Sequence, residues 1–96
     1  MALLSEADIE SGLAGIDGWR REQDSIVRDF EFPDFAAAMA FVQRVGEAAE
    51  DANHHPDILL HGWNKVRLTL STHSAGGLTD ADFALAREID ALDGGE

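Results

Sequence analysis

The chain has no cysteine and no tyrosine, only two prolines, and seven basic residues against nineteen acidic ones. Without cysteine there is no disulfide, no thiol nucleophile and none of the common structural zinc sites, a composition that suits a reducing compartment. His, Asp and Glu remain as the strong ligands and bases. The formal charge of -12 repels a phosphate backbone or an anionic membrane at long range, so direct nucleic-acid binding is not expected. A soluble acidic exterior accounts for that charge without any special partner. No apolar run approaches the roughly 20 residues that span a bilayer, and the segment from Met1 to Asp8 lacks the basic start and apolar stretch of a signal peptide. The cytoplasm is the expected location, with no membrane association.

What is present fits one domain. Ninety-six residues allow a single modest core, and no repeat, low-complexity tract or linker divides the chain between about Leu3 and Leu92. Gly94-Gly95-Glu96 reads as a stop. Ser5 with Asp8 forms a capping-box pattern, with Leu4 placed to staple onto Ile9, and predicts a short helix to about Leu13, broken by Gly15 and Gly18. An extended stretch from Trp19 to Glu22, a turn at Gln23-Asp24, and Ile26, Phe30 and Phe32 on one face predict a hairpin. Arg28 shares that apolar parity and reads as a snorkelling edge residue.

After Pro33-Asp34, the spacing of Phe35, Ala38, Val42, Val45, Ala49 and Ala52 defines one face of a long helix. Two extended segments follow, from Ile58 to Trp63 and from Lys65 to Thr72; in the second, Val66, Leu68 and Leu70 alternate with polar residues. Thr79 with Asp82 repeats the capping-box pattern before a last amphipathic helix carrying Phe83, Leu85, Ala86, Ile89 and Leu92. The fold class is therefore α+β, in the order α-β-β-α-β-β-α: a four-stranded antiparallel sheet with three helices on one face. Such a sheet leaves edges and one face open to self-association.

All four histidines lie between positions 54 and 73, at His54, His55, His61 and His73. His54-His55-Pro56 falls where the long helix must end, because proline disfavours helical backbone in the residue before it. His73 follows the fourth strand and precedes the flexible Ser74-Ala75-Gly76-Gly77. An isolated His-His pair reads first as a helix C-terminal cap, but a third histidine at a second loop favours chemistry. One imidazole can hold a proton while its neighbour lacks one, the division of labour that elimination of water needs.

Metal binding ranks second, with Glu50, Asp57 or Asp82 as an oxygen ligand. Adjacent histidines in an extended segment point to opposite sides, and no His-x-x-x-His or His-x-His spacing occurs. Gly76-Gly77 stands alone, with no phosphate loop or dinucleotide fingerprint around it. A hydrolase built from Ser74, His73 and Asp82 lacks any nucleophile-elbow context.

These residues resemble the pterin-4a-carbinolamine dehydratase family. The resemblance rests on Glu50, His54-His55-Pro56, Trp63-Asn64-Lys65-Val66, Leu70-Ser71-Thr72-His73, Gly76-Gly77-Leu78-Thr79 and Asp82, in the family's order and spacing. Gly18-Trp19, Phe30-x-Phe32, Phe35 and Phe41 extend it over nearly the whole chain. It implies the same α+β fold, a homodimer or homotetramer, and dehydration of 4a-hydroxytetrahydropterin to quinonoid dihydropterin with no metal or cofactor. By position, His54, His55 and His73 would be catalytic, with Glu50, Pro56, Trp63, Thr72 and Asp82 binding substrate or supporting the site. Trp63 reads foremost as a core anchor and second as a pterin-stacking wall; capping alone suffices to explain Asp82.

The spacer from Pro56 to Trp63 is long for the family, and a bulge near His61-Gly62 is expected to absorb the extra residue. His61 has no family counterpart and reads as an exposed strand residue. Relatives that act as dimerisation, assembly or transcriptional-regulatory partners keep a non-catalytic role open as the alternative.

Overall fold

The computed structural model describes residues 2–94; Gly95 and Glu96, part of the stop read above, lie outside the described residues. The elements are α1 (Glu6–Ala14), β1 (Arg20–Glu22), β2 (Ser25–Glu31), α2 (Phe35–Ala52), β3 (Asp57–His61), β4 (Lys65–Leu70) and α3 (Asp80–Gly94). Ser5 begins α1 in an extended conformation, its side chain accepting the Asp8 N–H at 3.1 Å. Asp34 caps α2 in the same way, accepting the Ala37 N–H at 2.7 Å. Each cap satisfies a donor that the first helical turn leaves unpaired.

The four strands form one antiparallel sheet in the order β1-β2-β4-β3. Ile26 lies opposite Leu70, Arg28 opposite Leu68, and Phe30 opposite Val66. This register aligns the apolar parity of both interior strands on one face. Ile9 of α1, Ala38, Phe41, Val45 and Ala49 of α2, and Phe83, Leu85, Ala86 and Ile89 of α3 join that face in a single core. All three helices therefore cover one side of the sheet. The other side carries an ionic cluster, in which Asp29 accepts from Arg67 Nε at 2.7 Å and from Arg20 Nη1 at 3.0 Å.

Four local expectations change. Arg28 is not on an edge: β2 is interior, and the guanidinium turns into the helical layer to meet Asp90 of α3 at 2.5 Å, over the Phe30 ring. Asp90 also accepts from the Trp19 indole N–H at 2.8 Å. On α2 the buried stripe is Ala38, Phe41, Val45 and Ala49, while Phe35 is 51 % exposed and Ala52 lies at the surface. Phe41 fits better because its ring meets both Phe30 and Phe32, at centroid distances of 4.7 and 5.0 Å.

No bulge interrupts β3. Its ladder with β4 is regular from Asp57↔Thr69 to His61↔Lys65, and the extra residue sits in the turn at positions 62–64. Trp63 therefore caps a hairpin in the left-handed region (φ 60°) and is 61 % exposed, so it is not a core anchor. The buried residue of that turn is Asn64, whose amide donates to the Phe32 carbonyl at 2.9 Å and whose carbonyl accepts the Phe32 N–H at 2.9 Å. His61 is exposed at the end of β3, as its place in the sequence suggested.

Candidate active site

Asn53 ends α2 in the left-handed conformation (φ 52°, ψ 43°). Its N–H donates to the Glu50 carbonyl at 3.1 Å, and the His54 N–H reaches back to Ala49 at 3.0 Å. This is the two-bond Schellman closure, in which asparagine tolerates the left-handed position and the next residue is locked against the helix end. His54 is that locked residue. Pro56 then commits the chain to extended backbone, and β3 starts at Asp57.

His54 is directed inward. Its Nε2 lies 2.6 Å from Asp82 Oδ1; the His54 side chain is 13 % exposed and that of Asp82 is fully buried. Asp82 occupies the first turn of α3, where the helix dipole favours a carboxylate. Its Oδ2 accepts the Thr79 N–H at 2.9 Å, completing the capping box, and the Thr72 hydroxyl at 2.9 Å. Three donors thus converge on one carboxylate. With Asp82 ionised, the carboxylate only accepts, so the shared proton sits on His54 Nε2 and Nδ1 is the acceptor nitrogen of the ring.

The second histidine is arranged differently. His55 Nε2 lies 2.6 Å from Glu50 Oε2, but the two side chains are 59 % and 76 % exposed. Solvent screens such a pair, and it orients His55 more than it stabilises the fold. Glu50, His55 and Pro56 line an open groove of about 580 Å³ between α2 and β3, with Gly46, Glu47 and Ile58. That groove does not include His54, Thr72, His73 or Asp82. The buried pair holds its imidazole in one place, whereas an exposed imidazole in an open groove does not by itself fix a proton.

His73 follows Thr72, whose backbone N–H bonds the Gly77 carbonyl at 2.8 Å and closes a tight loop. Gly76 holds φ 78° there, and its N–H donates to the carbonyls of Thr72 and His73 at 2.9 and 3.2 Å. His73 itself is exposed. Trp63 lies at the opposite end of the β3–β4 hairpin from His54, His55 and Pro56. Of the eight residues singled out, hydrogen bonds join His54, Thr72 and Asp82, and separately His55 and Glu50. Among the described residues, no group of three or more His, Asp or Glu is arranged to hold a metal ion, and no helix is long and apolar enough to cross a membrane. Sequence reasoning left Thr79 as a cap alone, although its backbone and hydroxyl both enter this network.

Comparison with known proteins identifies the family. Residues 2–92 match the family described as pterin 4 alpha carbinolamine dehydratase. A protein of Thermomicrobium roseum is 52 % identical over 92 residues, covering 96 % of this chain and 98 % of its own. One from Roseiflexus castenholzii is 50 % identical over 91 residues, covering 95 % and 97 %. Both are named provisionally as pterin-4-alpha-carbinolamine dehydratases. The crystal structure of a transcriptional coactivator/pterin dehydratase from Brucella melitensis superposes with a TM-score of 0.88 at 35 % identity, covering 93 % of this chain and 96 % of that one. A pterin dehydratase-like protein identified as a RuBisCO assembly factor in the alpha-carboxysome is more distant: TM-score 0.64 at 27 % identity, covering 79 % of this chain and 87 % of that one. By sequence match over nearly its full length and by fold, the chain belongs to the pterin 4 alpha carbinolamine dehydratase family.

Proposed function

We propose that the protein is a hydro-lyase that converts 4a-hydroxytetrahydropterin to quinonoid dihydropterin and water by histidine general acid–base catalysis, in the recycling of a tetrahydrobiopterin-type cofactor. The observation that carries this reading is the 2.6 Å bond between His54 Nε2 and the buried Asp82. It provides an imidazole with a defined tautomer, oriented by a carboxylate that favours the imidazolium once a proton arrives. Family membership supplies the substrate class.

In the step we propose, Nδ1 of His54 takes the proton from the ring nitrogen next to C4a, and the N–H bonding pair forms the new C=N bond. The C4a–O bond breaks with its electrons on oxygen. An imidazolium drawn from the exposed pair His55 and His73 protonates that oxygen, and water leaves. One proton is taken and one given, so exchange with solvent restores the site. Positioned acid–base groups of this kind contribute about 10²- to 10⁴-fold, which sets the scale of the loss expected on removing His54. Thr72 and Asp82 orient His54, Glu50 orients His55, and Pro56 shapes the approach. Trp63 joins this set only if a partner protomer brings it near the histidines. Following the ultraviolet decay of freshly generated 4a-hydroxytetrahydropterin with and without the protein tests the reaction directly.

The setting that goes with this reading is cytoplasmic, on the absence of cysteine, with a pterin as substrate and a homodimer or homotetramer as the working form. Exposed Phe35, Met39, Ile58 and Leu59 on α2 and the edge strand support self-association, which light scattering would measure. A second reading, a non-catalytic assembly or transcriptional partner, is favoured by the two similar structures, one of a transcriptional coactivator/pterin dehydratase and one of a RuBisCO assembly factor. A chain without dehydratase activity that still associates with a partner would support it.

A further inference from the structure

Behind the His54–Asp82 pair lies a second layer of buried hydroxyls. Thr72 and Thr79 are 6 % and 0 % exposed, and their Oγ1 atoms are 2.8 Å apart. A hydroxyl has one proton to give. Thr72 gives its own to Asp82 Oδ2 at 2.9 Å, so in the Thr72–Thr79 bond Thr79 is the donor. Thr79 Oγ1 in turn accepts the Ala81 N–H at 3.3 Å. With Asp82 ionised, the bonds run from Ala81 N–H to Thr79, Thr79 to Thr72 and Thr72 to Asp82, with His54 at the other carboxylate oxygen.

Resting on the reading of His54 as the acid–base group, we propose that the Thr79 hydroxyl is a positioning group for it, acting through Thr72 on Asp82. Without the Thr79 donor, the Thr72 hydroxyl is less polarised and its bond to Asp82 Oδ2 weakens, since linked hydrogen bonds polarise one another. An Asp82 carboxylate held less firmly at Oδ2 is freer to turn, and the His54 imidazole bonded to its Oδ1 turns with it. Its neutral form also loses the constraint that keeps hydrogen on Nε2.

The test compares Thr79→Gly, Thr79→Val and Thr79→Ser with wild type. Glycine starts a helix almost as well as threonine, so Thr79→Gly removes the hydroxyl while leaving α3 a usable start; Thr79→Val is read alongside it if folded. Two quantities are measured: the imidazole ¹⁵N shifts of His54, which need no substrate, and kcat for dehydration. The expected result for the variants lacking the hydroxyl is a mixed tautomer and kcat lower by about five- to tenfold, the scale of one buried hydrogen bond. Thr79→Ser should behave as wild type. In a Thr72→Val background, Thr79→Gly should cost nothing further in kcat. Unchanged His54 shifts in folded Thr79→Gly, or a full additional loss in the Thr72→Val background, would overturn the proposal. If wild type shows no dehydration, the functional reading fails, while the ¹⁵N measurement still decides the positioning role.

Discussion

His54 Nε2 and Asp82 Oδ1 meet at 2.6 Å across 28 positions of sequence, so the residue that locks the end of α2 is bonded to the third residue of α3. One interaction thus couples a helix end, a helix start and, through Thr72, the end of β4. A shift in any of these elements moves the imidazole.

Asp82→Asn keeps the size and shape of the side chain but presents either an amide N–H or a second-best acceptor to His54. The amide favours the arrangement that keeps its oxygen on Thr79 N–H and Thr72, which turns the N–H toward His54 and forces the opposite tautomer. The expected outcome is a kcat lower by about 10²-fold or more with KM little changed, as for other acid–base histidines deprived of their orienting carboxylate. Steady-state kinetics on the folded variant checks it; a KM effect alone would assign Asp82 to binding.

Asp90→Ala tests a structural pair remote from the histidines. Arg28 and Asp90 are 19 % and 23 % exposed, and Asp90 also takes the Trp19 indole N–H. Deleting one partner of a largely buried polar cluster costs about 1–3 kcal/mol. Chemical denaturation should show that loss, with Asp90→Asn in between because it can still accept from Trp19. Equal stability of all three would mean that solvent replaces the pair at no cost.

Much of this fold was readable beforehand, because caps and alternation are local. Ser5-Asp8 and Thr79-Asp82 fixed two helix starts, and Val66-Leu68-Leu70 fixed the buried face of β4. The errors fell where tertiary context decides. Phe35 and Phe41 both fit a helical period, and only packing against Phe30 and Phe32 selects Phe41. Arg28 looked like an edge residue because period two carries no strand order. Trp63 was misread because one extra residue can enter a strand as a bulge or lengthen a turn, and the turn won once Asn64 was pinned to Phe32. Within the site, the clustering of histidines was evident, whereas the depth of Asp82 and the link through Thr79 were not, since both depend on residues far apart in sequence.

Two glycines should respond to alanine with opposite signs. A Cβ on Gly12 would lie 2.8 Å from the Phe83 ring, where α1 packs on α3, so Gly12→Ala should destabilise by about 1–3 kcal/mol. That outweighs the gain of about 1 kcal/mol that alanine brings to a helix interior. Gly46, inside α2, has nothing within 4 Å of the added carbon, and Gly46→Ala should stabilise by about 0.5–1 kcal/mol. Thermal melts of both variants give the comparison, and a shared sign would show that the α1–α3 contact yields easily.

The open face of the sheet should carry a pH-dependent contribution. Hydrogen bonds from Arg67 and then Arg20 hold the Asp29 carboxyl below its ordinary value. A carboxylate lowered on folding stabilises the protein above the usual carboxylate range and loses that contribution as pH falls through the lowered value. Asp29→Asn should therefore be less stable than wild type near pH 7, with the gap closing as pH falls through that lowered value. The effect is small, because Asp29 and Arg67 are each 45 % exposed, and high salt should shrink it further. A gap independent of pH in urea titrations would mean that packing, not charge, is responsible.

The most direct measurement follows the decay of freshly generated 4a-hydroxytetrahydropterin in buffer, with this protein, and with a His54→Ala variant shown by circular dichroism to be folded. The account predicts marked acceleration by the protein and a loss of about 10²- to 10⁴-fold in the variant. Decay no faster than in buffer, or a His54→Ala variant as active as wild type, would contradict it.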